Sequence, residues 1–133
     1  MKRAIASDRA PKAVGPYSQG VAFGDLLFCA GQIPLDPESG ELTGTDVTAQ
    51  TERVIENIKA VLLVNSMTLG DVVKTTVFLT TMDDFAGMNT VYARHFSEPF
   101  PARSTVAVVA LPRGAKVEIE VTAAKSKAAA SKA

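Results

Sequence analysis

The chain has 133 residues, the length of one ordinary domain, and 47% of them are hydrophobic, so it carries enough apolar side chains to fold. Its 14 basic and 14 acidic residues cancel, which leaves no overall positive field to attract nucleic acid. Its apolar runs are far shorter than a membrane span requires. We therefore expect a folded, soluble protein with neither a nucleic-acid nor a membrane partner.

A β-hairpin and a helix are the first predicted elements. Two apolar runs, residues 20–23 and 26–30, flank Gly24-Asp25, a two-residue turn of the kind that joins hairpin strands. From Asp46 to Asn65 the apolar residues recur at helical spacing, and Asp46 is a suitable N-cap. The pattern predicts a helix that packs one face on the core.

A strand and a second helix follow. Residues 72–81 are rich in Val, Thr and Phe, a composition typical of a covered strand. The second helix is capped by Asp83 or Asp84, carries its apolar residues along one stripe and ends near Phe96, because Pro99 prevents its continuation.

The last predicted elements are two strands, residues 105–110 and 116–122, joined as a second hairpin by the turn at 111–114. The element order favours an α+β fold with a mixed sheet and two helices on one face. We expect one domain over residues 1–124. Residues 125–133 contain only Lys, Ser and Ala, which predicts a flexible tail.

Two glutamates alternate with apolar residues on the last strand. Because side chains alternate between faces along a strand, Glu118 and Glu120 share the face opposite Val117, Ile119 and Val121. Mutual repulsion would raise the pKa of at least one carboxyl if that face is covered, which would suit a general acid or base. The alternative is that both glutamates are solvated on an open sheet face.

Arg103 begins the neighbouring strand after two prolines. Pairing of the terminal hairpin would bring Arg103 near the end of the strand that carries the glutamates. A guanidinium there would make either a structural ion pair or a bidentate contact to a substrate carboxylate, and spacing leaves both open.

Two glycine-containing segments are candidates for close approach of a ligand to the main chain. The first surrounds Tyr17 with Gly15, Pro16 and Gly20, and the second places Gly31 at a strand end. Turn chemistry with a packed tyrosine explains the same residues equally well.

Cysteine and histidine each occur once, as Cys29 and His95. A single cysteine makes no internal disulfide, which favours a reducing, cytoplasmic location, and these two residues are too few for a zinc site. A Cys29–His95 catalytic dyad is disfavoured because Cys29 lies in an apolar run typical of core.

Along residues 10–124 the sequence resembles the RidA (YjgF) family of enamine/imine deaminases. The motifs that carry the resemblance are Gly-Pro-Tyr-Ser-Gln at 15–19, Ala-Gly-Gln-Ile-Pro at 30–34, Asp-Val-Val-Lys-Thr-Thr-Val-Phe-Leu at 71–79, Asn89, Pro-Ala-Arg-Ser-Thr-Val at 101–106 and Val-Glu-Ile-Glu at 117–120.

The resemblance implies a chorismate-mutase-like fold and a homotrimeric barrel with clefts between subunits. It implies hydrolysis of 2-aminoacrylate, 2-aminocrotonate and their imine tautomers to 2-keto acids and ammonia, without a metal or organic cofactor. Arg103 would hold the substrate carboxylate and Glu118 would position the attacking water. Tyr17, Gly31, Asn89 and Thr105 would line the cleft.

Two positions depart from the family pattern. Ala30 stands where the family commonly has Ser, and Thr105 stands where many members have Cys. Substrate range is the property these departures affect. Ala30 and, from the pair of glutamates on the last strand, Glu120 are secondary site candidates. The alternatives are a deaminase of a different imine and a trimer that binds 2-keto acids or proteins without turnover. A ribonuclease role gains little support from the neutral charge.

Overall fold

The structure, a computed structural model, describes residues 1–126, so most of the predicted tail lies outside the described residues. The strands are β1 (Arg3–Ile5), β2 (Gly20–Phe23), β3 (Leu26–Gln32), β4 (Val72–Leu79), β5 (Ala102–Ala107) and β6 (Val117–Ala124); the helices are α1 (Val47–Val64) and α2 (Phe85–His95). They form one sheet in the order β1-β2-β3-β6-β4-β5, antiparallel except for the parallel pair β4–β5. The predicted mixed sheet with two helices is confirmed, whereas the trimeric barrel and the chorismate-mutase-like assignment remain predictions.

Helix α1 begins as its sequence predicts. The Asp46 carboxylate accepts a hydrogen bond from the Ala49 N–H at 2.9 Å, which satisfies a backbone donor that has no partner within the helix. Five apolar residues of α1 are completely buried: Val54, Ile55, Ile58, Val61 and Leu62. No helix within residues 1–126 is long and apolar enough to cross a membrane.

Strand β6 lies at the centre of the sheet, between β3 and β4. Val117 and Ile119 are completely buried, and Val121 is 3% exposed, because this face of β6 packs beneath the helices. The alternation therefore sends Glu118 and Glu120 to the opposite face, as the sequence predicts.

The predicted second hairpin is wrong. β5 pairs with β4 rather than with β6, and the chain between β5 and β6 crosses the end of β4, where the Val108 N–H donates to Leu79 and the Thr80 N–H donates to Lys116. The residues at 111–114 favour a turn locally, but which strands pair depends on how much of each strand's apolar surface is buried. The apolar face of β6 fits a central position, while the largely exposed β5 fits an edge.

Strand β1 was not predicted. It has three residues, two of them exposed, and pairs with β2 through Ile5 opposite Gly20. A run this short shows no periodicity to distinguish it from a loop.

Replacing a buried and an exposed leucine that are adjacent on α1 tests this packing. Leu62 is completely buried, whereas Leu63 is 62% exposed. Leu62→Ala should lower the free energy of unfolding by about 2–5 kcal/mol through lost burial and a cavity. Leu63→Ala should change it by less than about 0.5 kcal/mol. Urea unfolding at a fixed protein concentration measures both, and equal losses would contradict the assigned helix face.

Candidate active site

The Arg103 side chain lies on the helix-covered face of the sheet. Arg103 is opposite Thr75 in the β4–β5 register, and its guanidinium donates to the Asn89 side-chain oxygen at 2.7 Å. The guanidinium carbon lies 4.6 Å from the ring centre of Tyr92 and 5.6 Å from that of Phe85. Helix α2 thus supplies one amide and two aromatic faces to this cation.

Within residues 1–126 no carboxylate forms an ion pair with Arg103; the ion pairs found there involve other cations. Guanidinium carries five N–H donors, of which the Asn89 bond uses one and the ring contacts use none. The chain therefore does not provide the structural ion pair that was one of the two alternatives for Arg103. A half-buried cation with free donors suits an anionic ligand.

Thr105 lies on the same face of β5 as Arg103, two residues farther along the strand. Its hydroxyl oxygen is buried and has no hydrogen-bond partner within the described residues. An unsatisfied buried hydroxyl is rare, and this one lies on the strand face that also carries Arg103. We call Arg103, Asn89 and Thr105, with the rings of Phe85 and Tyr92, the arginine half-site.

Glu118 lies on the opposite face, against the main chain of β3. A Cβ atom built on Gly31 would lie 2.1 Å from a carboxylate oxygen of Glu118, so any other residue at position 31 would displace that carboxylate. This close approach explains the glycine at the strand end. The structure therefore brings two predicted site residues, Gly31 and Glu118, into contact.

Burial raises the pKa of the Glu118 carboxyl, and the negative charge of Glu120 raises it further. The predicted effect of the paired glutamates is confirmed in direction, although burial is the larger cause. Glu118 is half-buried and Glu120 is exposed, so only Glu120 fits the alternative of a solvated face. Glu120 borders a separate cavity of about 190 Å³ with Lys74 and Phe28.

Tyr17 and Gly31 line a groove of about 380 Å³ whose cations are Lys12 and Arg113. Tyr17 is 54% exposed, and its hydroxyl accepts a hydrogen bond from the Val14 N–H at 3.3 Å. It is therefore not the packed core tyrosine of the alternative interpretation. We call Glu118, Gly31 and Tyr17, with the neighbouring Ala30, the glutamate half-site.

Gln19 fixes the segment that carries Tyr17. Its buried amide donates to the Ser7 carbonyl at 3.1 Å and to the Pro11 carbonyl at 2.8 Å, and its oxygen accepts from the Ser7 N–H at 2.6 Å. The main-chain carbonyl of Gln19 accepts a hydrogen bond from the Ala30 N–H at 2.9 Å, which links the segment to β3. Gln19 thus joins the two glycine-containing segments.

The two half-sites do not meet within one chain. β4 separates β5 from β6, with Thr75 opposite Arg103 and Phe78 opposite Glu118. Residues 75 and 78 point to opposite faces of β4, so Arg103 and Glu118 do as well. The expectation that a terminal hairpin brings them together is therefore wrong.

Sequence reasoning missed Phe85 and Tyr92 as neighbours of Arg103 and assigned both to the apolar stripe of the helix. The spacing of these two aromatic residues from Asn89 in the sequence could have indicated that they lie beside it. Phe85 precedes Asn89 by four residues and Tyr92 follows it by three, so all three share one helix face. An amide between two aromatics is an environment that a guanidinium favours.

The Cys29–His95 dyad is not formed. Burial raises the pKa of the Cys29 thiol to about 12, which makes it a poor nucleophile. The His95 Nε2 atom is instead hydrogen-bonded to Glu52.

Glu52, Glu56 and His95 are the group within residues 1–126 whose atoms lie close enough to hold a metal ion, within 4.8 Å of one another. Cations of the chain already pair with both carboxylates. Arg94 lies 3.8 Å from Glu52, and Lys59 lies 3.0 Å from Glu56. The group is therefore accounted for as a half-buried ion-pair cluster.

The raised pKa of Glu118 has a consequence for stability. When a carboxyl has a higher pKa in the folded than in the unfolded state, the free energy of unfolding falls as pH rises from the lower pKa to the higher one. The cause is that ionisation of the carboxyl is less favourable in the folded protein. Glu118→Gln should therefore unfold at higher urea concentration than the wild type at pH 7, and the difference should vanish below the ordinary glutamate pKa of 4.5. Glu120→Gln, which removes the like charge, should lower the pKa of Glu118 in a carboxyl carbon NMR titration. A Glu118→Gln variant less stable than wild type at pH 7 would contradict this account.

Residues 7–125 match the family model described as Endoribonuclease L-PSP. The chain is 54% identical to Protein DfrA of Myxococcus xanthus, covering 92% of this chain and 95% of that one. It is 44% identical to 2-iminobutanoate/2-iminopropanoate deaminase of Salmonella typhimurium, covering 94% of this chain and 99% of that one.

Solved structures of other proteins are similar to this chain in both sequence and fold. RidA from an Antarctic Psychrobacter is 46% identical with a TM-score of 0.89, over 92% of this chain and 99% of that chain. Escherichia coli TdcF with bound serine is 43% identical with a TM-score of 0.88, over 93% and 99% respectively. The fold, the motifs and these similarities together establish that the chain belongs to the RidA (YjgF) family.

Proposed function

We propose that the protein hydrolyses short-lived 2-imino acids and their enamine tautomers, such as 2-aminoacrylate and 2-aminocrotonate, to 2-keto acids and ammonia. The observation that carries the proposal is Arg103: a half-buried guanidinium with no carboxylate partner in the described chain, held between an amide and two aromatic rings. Such a group is a receptor for a small carboxylate.

The arginine half-site holds the substrate by its carboxylate. Free N–H groups of Arg103 donate to the two carboxylate oxygens, and the unpartnered hydroxyl of Thr105 lies on the same strand face to supply a further contact. Fixing the carboxylate also fixes the adjacent carbon–nitrogen double bond, so part of the barrier is removed by orientation.

Glu118 acts as the base and then as the acid. The imine reacts in its protonated, iminium form. As water attacks the imine carbon, Glu118 accepts a proton from the water, and the electron pair of the carbon–nitrogen double bond moves to nitrogen, which gives a neutral tetrahedral carbinolamine. Glu118 then returns its proton to the nitrogen, the carbon–nitrogen bond breaks, and the hydroxyl proton passes to the Glu118 carboxylate and on to solvent, which leaves a 2-keto acid and ammonia. A raised carboxyl pKa suits both steps, since it makes Glu118 a stronger base and leaves it able to return the proton. Because an imine is already electrophilic, this route requires no metal or organic cofactor.

We propose further that Arg103 and Glu118 of each site come from different subunits of a homotrimer. The Glu118 face of the sheet exposes large apolar residues, among them Phe23, Leu26, Phe28 and Val106, which are between 37% and 56% exposed. An apolar sheet face of this kind is typical of a surface that another subunit covers. Assembly through this face would bring the glutamate half-site of one chain toward the arginine half-site of another.

Two named relatives support the ligand class. The Salmonella typhimurium relative bears the name 2-iminobutanoate/2-iminopropanoate deaminase, and TdcF was solved with serine, a small molecule with a carboxylate. The single, buried cysteine is the basis for proposing a cytoplasmic location, where such imines would be removed.

Arg103→Ala tests the carboxylate receptor. The imines are generated in the cuvette by a serine/threonine dehydratase, and their hydrolysis is followed by the loss of semicarbazide-trapped imine. The variant should lose at least about 100-fold in kcat/KM, because two charge-assisted hydrogen bonds are removed. Arg94→Ala is the control: it removes an exposed arginine of α2 that does not touch either half-site, and it should retain activity.

Other outcomes of this assay identify the alternatives. An Arg103→Ala variant as active as wild type would overturn the site. A wild type that binds 2-keto acids through Arg103 without accelerating hydrolysis would indicate a binding protein or a deaminase of another imine. Cleavage of RNA that is independent of Arg103 would favour the activity for which the family model is named.

Mixed trimers test the division of the site between subunits. Arg103→Ala and Glu118→Gln proteins should each be nearly inactive alone. Unfolded together and refolded, they should regain activity, because some interfaces then combine an intact Arg103 with an intact Glu118. If both residues of a site belonged to one chain, every site would keep one defect and mixing would restore nothing.

A further inference from the structure

Tyr92 connects Arg103 to the core of the protein. Its ring is 5% exposed, stacks on Phe96 with 4.3 Å between ring centres, and presents a face to the Arg103 guanidinium at 4.6 Å. Burial raises the pKa of the phenol, so the ring remains neutral and its face remains attractive to a cation.

The hydroxyl of Tyr92 is anchored to the sheet beside Arg103. It lies 2.9 Å from the hydroxyl of Thr75, which is completely buried. Thr75 is also the register partner of Arg103 on the neighbouring strand. The ring of Tyr92 is therefore hydrogen-bonded to Thr75, the residue that pairs with Arg103 across the two strands. Arg103 is thus linked to Tyr92 both directly, through the ring contact, and indirectly, through Thr75.

This arrangement orients a cation without neutralising it. A carboxylate partner would occupy N–H donors and cancel the charge that attracts a substrate. The face of an aromatic ring attracts the guanidinium without cancelling its charge, so donors remain available for a substrate. Asn89 restricts the orientation of the guanidinium further through one donor.

We infer that Tyr92, anchored by Thr75, is a positioning residue that holds the guanidinium plane of Arg103 and thereby sets the affinity of the site for a planar carboxylate. The inference rests on the proposed function for its kinetic consequences. It does not rest on it for the orientation of Arg103 itself, which is measurable without substrate.

The first experiment compares Tyr92→Leu, which removes the ring, with Tyr92→Phe, which removes only the hydroxyl. Tyr92→Leu should raise both the Kd for 2-oxobutanoate and the KM for the imine about tenfold, a loss between that of an exposed and that of a desolvated cation–π contact. Because the carboxylate is bound equally in ground and transition states, kcat should change less than about threefold. Tyr92→Phe keeps the ring face but loses the hydrogen bond to Thr75, so its Kd and KM should rise above those of wild type but by less than those of Tyr92→Leu.

The second experiment needs no variant of Tyr92 to fold. In wild-type protein, the side-chain proton resonances of Arg103 should be shifted upfield by the ring, and its guanidinium N–H signals should be resolved at low temperature because rotation is hindered. Arg103→Lys identifies these signals by their disappearance. Arg103 signals at ordinary positions and with free rotation would overturn the inference.

The outcomes separate this inference from the function. A Tyr92→Leu protein that folds and binds 2-oxobutanoate as tightly as wild type overturns the positioning role, whatever the activity. A loss confined to kcat also overturns it. A third outcome separates the two proposals: wild type hydrolyses no imine, its Arg103 signals are shifted, and Tyr92→Leu weakens the binding of 2-oxobutanoate. In that case the positioning role holds and the proposed reaction fails.

Discussion

The alternation of side chains along β6 is the constraint on which the candidate site depends. Because Val117 and Ile119 are buried beneath the helices, Glu118 has to project from the other face, where the absence of a side chain at Gly31 gives its carboxylate room. The same central strand separates β3 from β4 and so places β5, with Arg103, at the sheet edge beneath α2. Packing of the core thus decides which face each charged group occupies.

The environment of Arg103 follows from that edge position. A central strand has neighbours on both sides, but β5 pairs only with β4, which leaves space for α2 to cover the arginine. Helical spacing then brings Phe85, Asn89 and Tyr92 to one face of α2. Two aromatic rings and an amide stabilise the cation while leaving most of its donors free, which a carboxylate partner would not do.

Local patterns predicted both helices, every strand except β1 and the direction of the Glu118 side chain, since capping, periodicity and alternation act between near neighbours in sequence. They failed on the partners of β5 and β6, because the turn at 111–114 favours a hairpin while burial of Val117 and Ile119 demands a central strand. The contact of Gly31 with Glu118 and the ring beneath Arg103 join residues far apart in sequence. No spacing rule within one segment predicts such contacts, and the family motifs supplied the candidate site residues without supplying their geometry.

The separation of Arg103 from Glu118 within a chain has a chemical consequence. An ion pair between them would lower the pKa of the carboxyl and occupy the guanidinium donors, so that neither group would serve as proposed. With the two on opposite faces, burial keeps the pKa of Glu118 raised and the positive charge of Arg103 remains unneutralised. The raised pKa means that the charge of Glu118 costs folding free energy, part of which an internal ion pair would recover. Such a cost is what the proposed function predicts for a carboxylate that acts on a ligand rather than on its own chain.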